Sequence, residues 1–326
     1  HWRDWSSDVC SSDLGTGTFN VLSGLSRKSD LNLAAIVTAA DSGGSTGELR
    51  DEFGILPPGD VRRAIVALAE DTEVVRRLFE YRFKEGKRIA GHTVGNLLLT
   101  ALSDIMGDFE RGIEELCTMF DVRGKVIPVT LDNVHLGVTL ENGERIVGES
   151  EIDVPRHDAN VPIRDAFLIG GGRLNPRARE AILNSDFVII GPGDLYTSII
   201  PNLLCEGMRE ALRETQARIV YVGSIMTKHG ETDGFCLEDF VRVLEQHVGE
   251  DCLDYVLVNN GELRGDLLGK YQLEGKAPVR LKRRETLIER GIKIVERDFT
   301  SDTDYIRHDP RKLARAVEDF ASGWIR

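Results

Sequence analysis

Four stretches of this chain set glycines, hydroxyls and carboxylates at spacings suited to holding an anion. In D-S-G-G-S-T-G, residues 41–47, Asp41 and Ser42 lead into Gly43, Gly44, Ser45, Thr46 and Gly47. The glycines let backbone pass close to a ligand, and the N–H and O–H groups supply donors. Gly191-Pro192-Gly193-Asp194, followed by Tyr196, Thr197 and Ser198, would set helix N-terminal N–H groups and two hydroxyls around an anion. A helix cap by Asp194 explains the same letters. Gly15-Thr16-Gly17-Thr18 matches part of a dinucleotide fingerprint whose third glycine would fall at Asn20. Asp41 stands 24 residues after Gly17, near where a ribose-binding acid sits in that fold. A tight turn followed by an acidic turn residue is the plainer reading. His92 and Asn96 are four apart, which puts them on one helix face. A buried Asn must be hydrogen-bonded to a loop or a ligand; for His92 a structural role weighs at least as much as a catalytic one. Asp41, Asp60 and Asp194 are candidate Mg²⁺ ligands beside a phosphate, although capping explains Asp60 equally well. No nucleophile–base pair is visible.

These loops follow apolar runs, and the runs decide the fold class. Residues 31–40, 186–190, 218–222, 253–258 and 292–295 read as strands, and helical patterns separate them. Alternating strands and helices require crossover connections and a mostly parallel sheet. The expected fold is therefore Rossmann-like, a three-layer α/β/α sandwich. Ligands of such sheets sit at the carboxyl ends of the strands, which would gather the polar loops at one edge. Around residues 125–150 the pattern turns β-rich, and Asn142-Gly143 marks a hairpin. The stretch 41–60 reads as one long loop ending in Asp60 as N-cap. Residues 15–326 read as a single domain. Residues 1–14 show no period and no strand-like run where a first strand is needed, so they are expected to be foreign to the natural protein.

Composition narrows the function classes. The chain has 326 residues, 41% apolar and 29% charged, with net charge -13. That balance argues against a nucleic-acid partner, which needs clusters of Lys and Arg. No apolar run approaches the roughly 18 residues of a membrane span, so no membrane insertion is expected. Five scattered cysteines without C-x-x-C spacing fit a reducing, cytoplasmic setting. A two-fold homodimer is the default assembly.

Taken together, D-S-G-G-S-T-G-E-L-R-D-E-F-G-I-L-P-P-G-D-V-R-R-A, G-H-T-V-G-N-L-L-L, G-P-G-D-L-Y-T-S-I-I-P-N-L-L and I-M-T-K-H-G-E-T-D-G-F resemble the YvcK-like gluconeogenesis-factor family, a branch of the CofD-like superfamily. The resemblance spans about residues 15–326. It implies a cytoplasmic protein that binds UDP-N-acetylglucosamine and serves cell shape and wall homeostasis on gluconeogenic carbon sources. No cofactor is required for that binding. The CofD branch implies an alternative: transfer of a 2-phospholactate-type group from a guanosine diphospho-donor to a deazaflavin, with Mg²⁺. The nucleotide-facing positions it implies are Gly15, Thr16, Gly17, Thr18, Asp41, Gly43, Gly44, His92, Asn96, Gly191, Gly193, Asp194, Tyr196, Thr197 and Ser198, with Ser42, Pro192 and Arg307 beside them. The stretch after Asp41 follows the YvcK pattern. The front departs from it, because the family carries an apolar first strand and further glycines before Gly15. A nicotinamide oxidoreductase, suggested by G-x-G plus Asp41, ranks third.

Overall fold

The computed structural model describes residues 7–12, 16–28, 31–69 and 73–321. Among these residues ten strands lie in two sheets: β1 (Ser7–Ser12), β2 (Leu31–Val37), β3 (Lys125–Pro128), β4 (His135–Leu140), β5 (Arg145–Val147), β6 (Ile163–Ile169), β7 (Phe187–Ile190), β8 (Arg218–Val222), β9 (Tyr255–Asn259) and β10 (Lys293–Arg297). Seven of them form one sheet in the order β10-β9-β8-β7-β1-β2-β3, and every pairing in it is parallel. Side chains alternate between faces, so each strand feeds two cores. Cys10, Ile36, Val188, Ile190, Tyr221 and Val256 go to one; Val9, Val37, Ile189, Val220 and Leu257 go to the other. Helices cover both faces, which explains why these strands read as unbroken apolar runs. The three-layer expectation holds.

The expectation that residues 1–14 contain no element is corrected by β1. It pairs with β2 and β7 at the centre of the sheet, with Val9 opposite Leu33 and Cys10 opposite Val188. S-D-V-C-S-S has little strand character of its own; neighbours on both edges and burial of Val9 and Cys10 supply what local pattern lacks. The chain runs from β1 outward to β3, returns, and continues from β7 outward to β10. The order therefore reverses between β1 and β7, and this is the switch point at which such sheets bind ligands.

The stretch 41–60 is more ordered than its turn-rich letters suggest. After three loop residues, 41–43, a helix runs Gly44–Phe53, stopped by Gly54 in the left-handed conformation at φ 66°. The next helix, Pro58–Leu68, begins before Asp60, with Pro57 as its N-cap residue and proline at its first position. Asp60 thus lies inside the first turn and is not the cap.

The β-rich excursion is also shifted. β3 belongs to the parallel sheet, and the antiparallel sheet β5-β4-β6 spans residues 135–169. Its hairpin turns at Asn142-Gly143, as the sequence indicates, with Gly143 at φ 88°. The buried Leu136, Val138, Leu140 and Ala166 pack it onto one core of the main sheet. A short helix between β5 and β6, Glu149–Asp153, is thereby held over the carboxyl edge of the parallel sheet. Among the described residues no helix is long and apolar enough to cross a membrane.

Candidate functional site

At the switch point the helix Thr16–Leu25 after β1 meets the loop after β7 at van der Waals distance. A Cβ on Gly17 would collide with the carbonyl oxygen of Pro192, so glycine is required there for close approach. A cleft of about 250 Å³ opens beside this contact. Gly17, Pro192 and Gly193 form one wall, and Ser224 to Lys228, following β8, form another. Tyr271, Ile306, Arg307 and His308 close it. Ser224 Oγ donates to the Gly193 carbonyl at 3.1 Å and ties the two loops together.

Three cationic heads line this cleft in a chain of net charge -13: Lys228, Lys276 and Arg307. Arg307 stacks on the Tyr305 ring at 4.8 Å and makes no ion pair among the described residues. Lys228 Nζ lies 2.6 Å from Asp153 Oδ1 and 3.4 Å from Asp194 Oδ2. Burial opposes its charge, but Asp194 and Asp153 outweigh burial and hold the ammonium above the ordinary lysine range. His308 is buried behind the cleft, its Nε2 3.1 Å from the Gly223 carbonyl. Burial lowers its pKa to about 4, so the ring is neutral at physiological pH and Nε2–H donates to that carbonyl.

The helix after Asp194 is capped from a distance. Asp194 makes no side-chain cap. Instead the buried Glu231 accepts from Tyr196 N–H at 3.0 Å, Thr197 N–H at 3.3 Å and Thr197 Oγ1 at 2.8 Å. The donors that sequence reasoning assigned to a bound anion are therefore engaged by a carboxylate of the chain. Burial and the nearby Asp194 push the Glu231 pKa upward, against Lys228 and the three donors, which favour the carboxylate.

A second group of acids lies on the β2 side. Asp41 Oδ1 accepts from Gly43 N–H at 2.8 Å. A Cβ on Gly59 would lie 2.7 Å from Asp41 Oδ2, so Asp41 abuts the turn that carries Asp60. Burial, then Asp41, raises the Asp60 pKa to about 7, although Arg63 pairs with Asp60 at 2.9 Å. Glu149 comes down from the antiparallel excursion; burial, then Asp41 and Asp153, raises its pKa to about 8. Ser42 Oγ lies 3.4 Å from Ser150 Oγ and fastens the excursion helix to this loop.

The structure thus separates the residues the sequence grouped. Gly17, Pro192, Gly193, Asp194 and Arg307 share the cleft, and Thr16 and Thr18 fall in the helix beside it. Gly15 lies outside the described residues. Asp41, Ser42, Gly43 and Gly44 belong to the β2 side. His92 and Asn96 do not share a helix face: the helix Val94–Met106 starts after His92, with Thr93 as its cap. They meet through Ser45, whose Oγ is 2.9 Å from His92 Nδ1 and accepts from Asn96 Nδ2 at 3.2 Å. Asn96 Oδ1 in turn accepts from Arg62 Nε at 2.9 Å. This hydroxyl–imidazole pair was invisible in the sequence. Its members are buried and fix the Gly44–Phe53 helix onto its neighbours.

Nor do Asp41, Asp60 and Asp194 converge. The acids whose oxygens lie within 4.8 Å of one another are Asp153, Asp194 and Glu231. Lys228 Nζ already pairs with Asp153 and Asp194, and both Glu231 oxygens accept hydrogen bonds, so the trio does not fit a resident cation. Asp41 and Asp60 adjoin one another, with Arg63 paired to Asp60 at 2.9 Å and Asp41 Oδ1 engaged by Gly43 N–H. Sequence reasoning missed Lys228, Glu231, Glu149 and Asp153. Lys228 and Glu231 stand in a loop directly after a strand, the position where site residues gather; Glu149 and Asp153 gave no local signal.

The parallel sheet, with helices on both faces and a cation-lined cleft at its switch point, puts the chain in the doubly wound α/β class. The chain belongs to the 2-phospho-L-lactate transferase CofD family, which it matches over residues 15–300. It is 38% identical to the gluconeogenesis factor of Bacillus subtilis strain 168 over 308 residues, 94% of this chain and 95% of that protein. It is 39% identical to the gluconeogenesis factor of Halalkalibacterium halodurans, covering 93% of each. Among solved structures, a Bacillus halodurans member of the UPF0052 family superposes with a TM-score of 0.90 at 37% identity, over 95% of this chain and 99% of that one.

Proposed function

We propose that this chain is a gluconeogenesis factor that binds a nucleotide sugar, UDP-N-acetylglucosamine, in the switch-point cleft and acts as a regulator of cell shape and wall homeostasis in the cytoplasm. The observation that carries the reading is the convergence of Lys228, Lys276 and Arg307 on a cleft walled by Gly17 and Gly193. Backbone glycines admit a diphosphate closely; Arg307 faces it with no ion pair among the described residues, while Lys228 and Lys276 add positive charge from their pairs with Asp153, Asp194 and Glu274. The names of the relatives support the role. Calorimetric titration with UDP-N-acetylglucosamine tests it: saturable binding is expected, and a flat titration of folded protein would remove the reading.

A second reading is the phospholactyl transfer for which the family is named. The acids Asp41, Asp60 and Glu149 favour it, since a Mg²⁺ held by Asp41 and Asp60 would offset their mutual repulsion. The ion would supply charge neutralisation at a transferring phosphoryl group. Product formed from a guanosine diphospho-donor, a deazaflavin acceptor and Mg²⁺ would establish this reading, and none would dismiss it.

A further inference from the structure

The helix Glu73–Glu80 is apolar on two faces. Phe79 turns inward, buried with its ring edge-on to Phe120 at 4.5 Å. Val74 and Leu78, four apart and so on one helix face, point the other way and are 74% and 50% exposed. In the loop that follows, Tyr81 and Ile89 are 54% and 41% exposed. This loop is a fixed hairpin: Phe83 N–H donates to the His92 carbonyl at 3.0 Å, Gly91 N–H to the Phe83 carbonyl at 2.8 Å, and Val94 N–H to the Tyr81 carbonyl at 3.0 Å. His92 at its base lies 2.9 Å from Ser45 Oγ and anchors it to the helix Gly44–Phe53. Residues 73–91 hold Arg76, Arg77, Arg82, Lys84, Lys87 and Arg88 against Glu73, Glu80 and Glu85, so this stretch is cationic in a chain of net charge -13. Arg77, Lys84, Lys87 and Arg88 are exposed and make no ion pair among the described residues.

We infer that this face is a docking surface for an anionic lipid bilayer, on which the protein lies without crossing it. The inference is independent of the nucleotide-sugar reading. Exposed apolar side chains rimmed by charge mark an interaction site, and the chemistry of the rim separates the partners. A nucleic acid would meet the cations and leave Val74 and Leu78 in water. A two-fold contact with a second copy would set the patch against itself, cations facing cations. A bilayer interface accepts both kinds of group at once. Apolar and aromatic side chains enter the boundary between headgroups and acyl chains, while Lys and Arg stay level with the lipid phosphates. The many acids elsewhere in the chain do not oppose this docking. At physiological ionic strength charges more than about 8 Å apart are largely screened, so only groups at the contact count, and there the cations outnumber the acids.

Co-sedimentation of the full chain with vesicles tests this, using phosphatidylglycerol and phosphatidylcholine in equal parts, or phosphatidylcholine alone. Binding to the anionic vesicles is expected to be at least about tenfold stronger than to the neutral ones, and to weaken as salt is added. Lys84→Gln, Lys87→Gln and Arg88→Gln made together are expected to weaken it at least about tenfold. Leu78→Ser with Tyr81→Ser is expected to weaken it at least about fivefold. Both variants change exposed side chains, so an unchanged urea midpoint is expected. If the serine variant lowers that midpoint, the charge variant and the salt dependence decide alone. Folded wild type that fails to sediment with anionic vesicles overturns the inference, as does binding that neither variant weakens. A molar mass in solution that rises with concentration and falls back in the same variants, without vesicle binding, assigns the face to a second copy and overturns it as well.

Discussion

Glu231 Oε2 lies 3.0 Å from the amide nitrogen of Tyr196, although 35 residues separate the two. A carboxylate from the loop after β8 thus satisfies the start of the helix after β7 and holds two loops of the cleft in register. Glu231→Ala would orphan the Tyr196 and Thr197 amides in a buried setting. The expected cost is about 1–3 kcal/mol of stability, read as a lower urea midpoint with an unchanged slope. An unchanged midpoint would show that these amides find other partners.

Gly17 is expected to tolerate no side chain. In Gly17→Ala the new methyl collides with the Pro192 carbonyl oxygen, so the helix Thr16–Leu25 must move away from the β7 loop. Overpacking of this kind costs about 1–3 kcal/mol. Nucleotide affinity should fall as well, because the shifted backbone forms the cleft wall. A variant with wild-type melting and wild-type affinity would contradict the close approach.

The His92–Ser45–Asn96–Arg62 chain predicts a different signature. Asn96→Ala leaves Arg62 Nε without its acceptor and Ser45 Oγ without a donor. Stability should drop by about 1–3 kcal/mol, while nucleotide affinity of the folded fraction stays within about twofold. A selective loss of affinity without loss of stability would return His92 and Asn96 to the ligand.

Stability should fall as pH rises. Asp60, at about 7, Glu149, at about 8, and Glu231 are raised above their ordinary values by burial and by neighbouring acids. A raised acid contributes stability that is complete below its unfolded pKa and is lost as pH climbs through its folded pKa. The window of loss runs from about pH 4–5 to pH 8. His308, lowered to about 4, has the opposite sign: its contribution is complete above the ordinary histidine pKa and is lost toward pH 4. His135 and His247 are lowered in the same direction, and Glu245 is raised like the other acids. The histidine contributions are complete above their ordinary pKa of about 6.5, so the net is a decline from there to about pH 8. Urea midpoints across that range check it, and Glu149→Gln should flatten the slope. A midpoint that rises with pH would contradict the burial of these acids.

How much of this was legible in the sequence depends on the distance over which each feature is determined. Phe187–Ile190 and Arg218–Val222 are buried on both faces, so the letters alone identify them as strands, and the loops after them as site loops. β1 was not legible, because S-D-V-C-S-S becomes a strand through β2 and β7 rather than through its own pattern. The helix Gly44–Phe53 was hidden by its glycines and hydroxyls, which read as turn formers until Ser45 and Thr46 are seen buried against the neighbouring helices. Asp153 reaches Lys228 across 75 positions, and Glu231 reaches Thr197 across 34. Neither pairing follows from spacing, so the charge arrangement of the cleft appears with the fold and not before it.

The most direct test is calorimetric titration of UDP-N-acetylglucosamine into wild type and Lys228→Met. Lys228 is the cation that joins the cleft to the acids behind it, and charge-assisted contacts of this kind are worth about 1.5–3 kcal/mol. The expected result is saturable wild-type binding, weakened at least about tenfold in a Lys228→Met protein that still unfolds cooperatively. Equal affinity in the two proteins, or no wild-type binding, would contradict the placement of the ligand in the switch-point cleft.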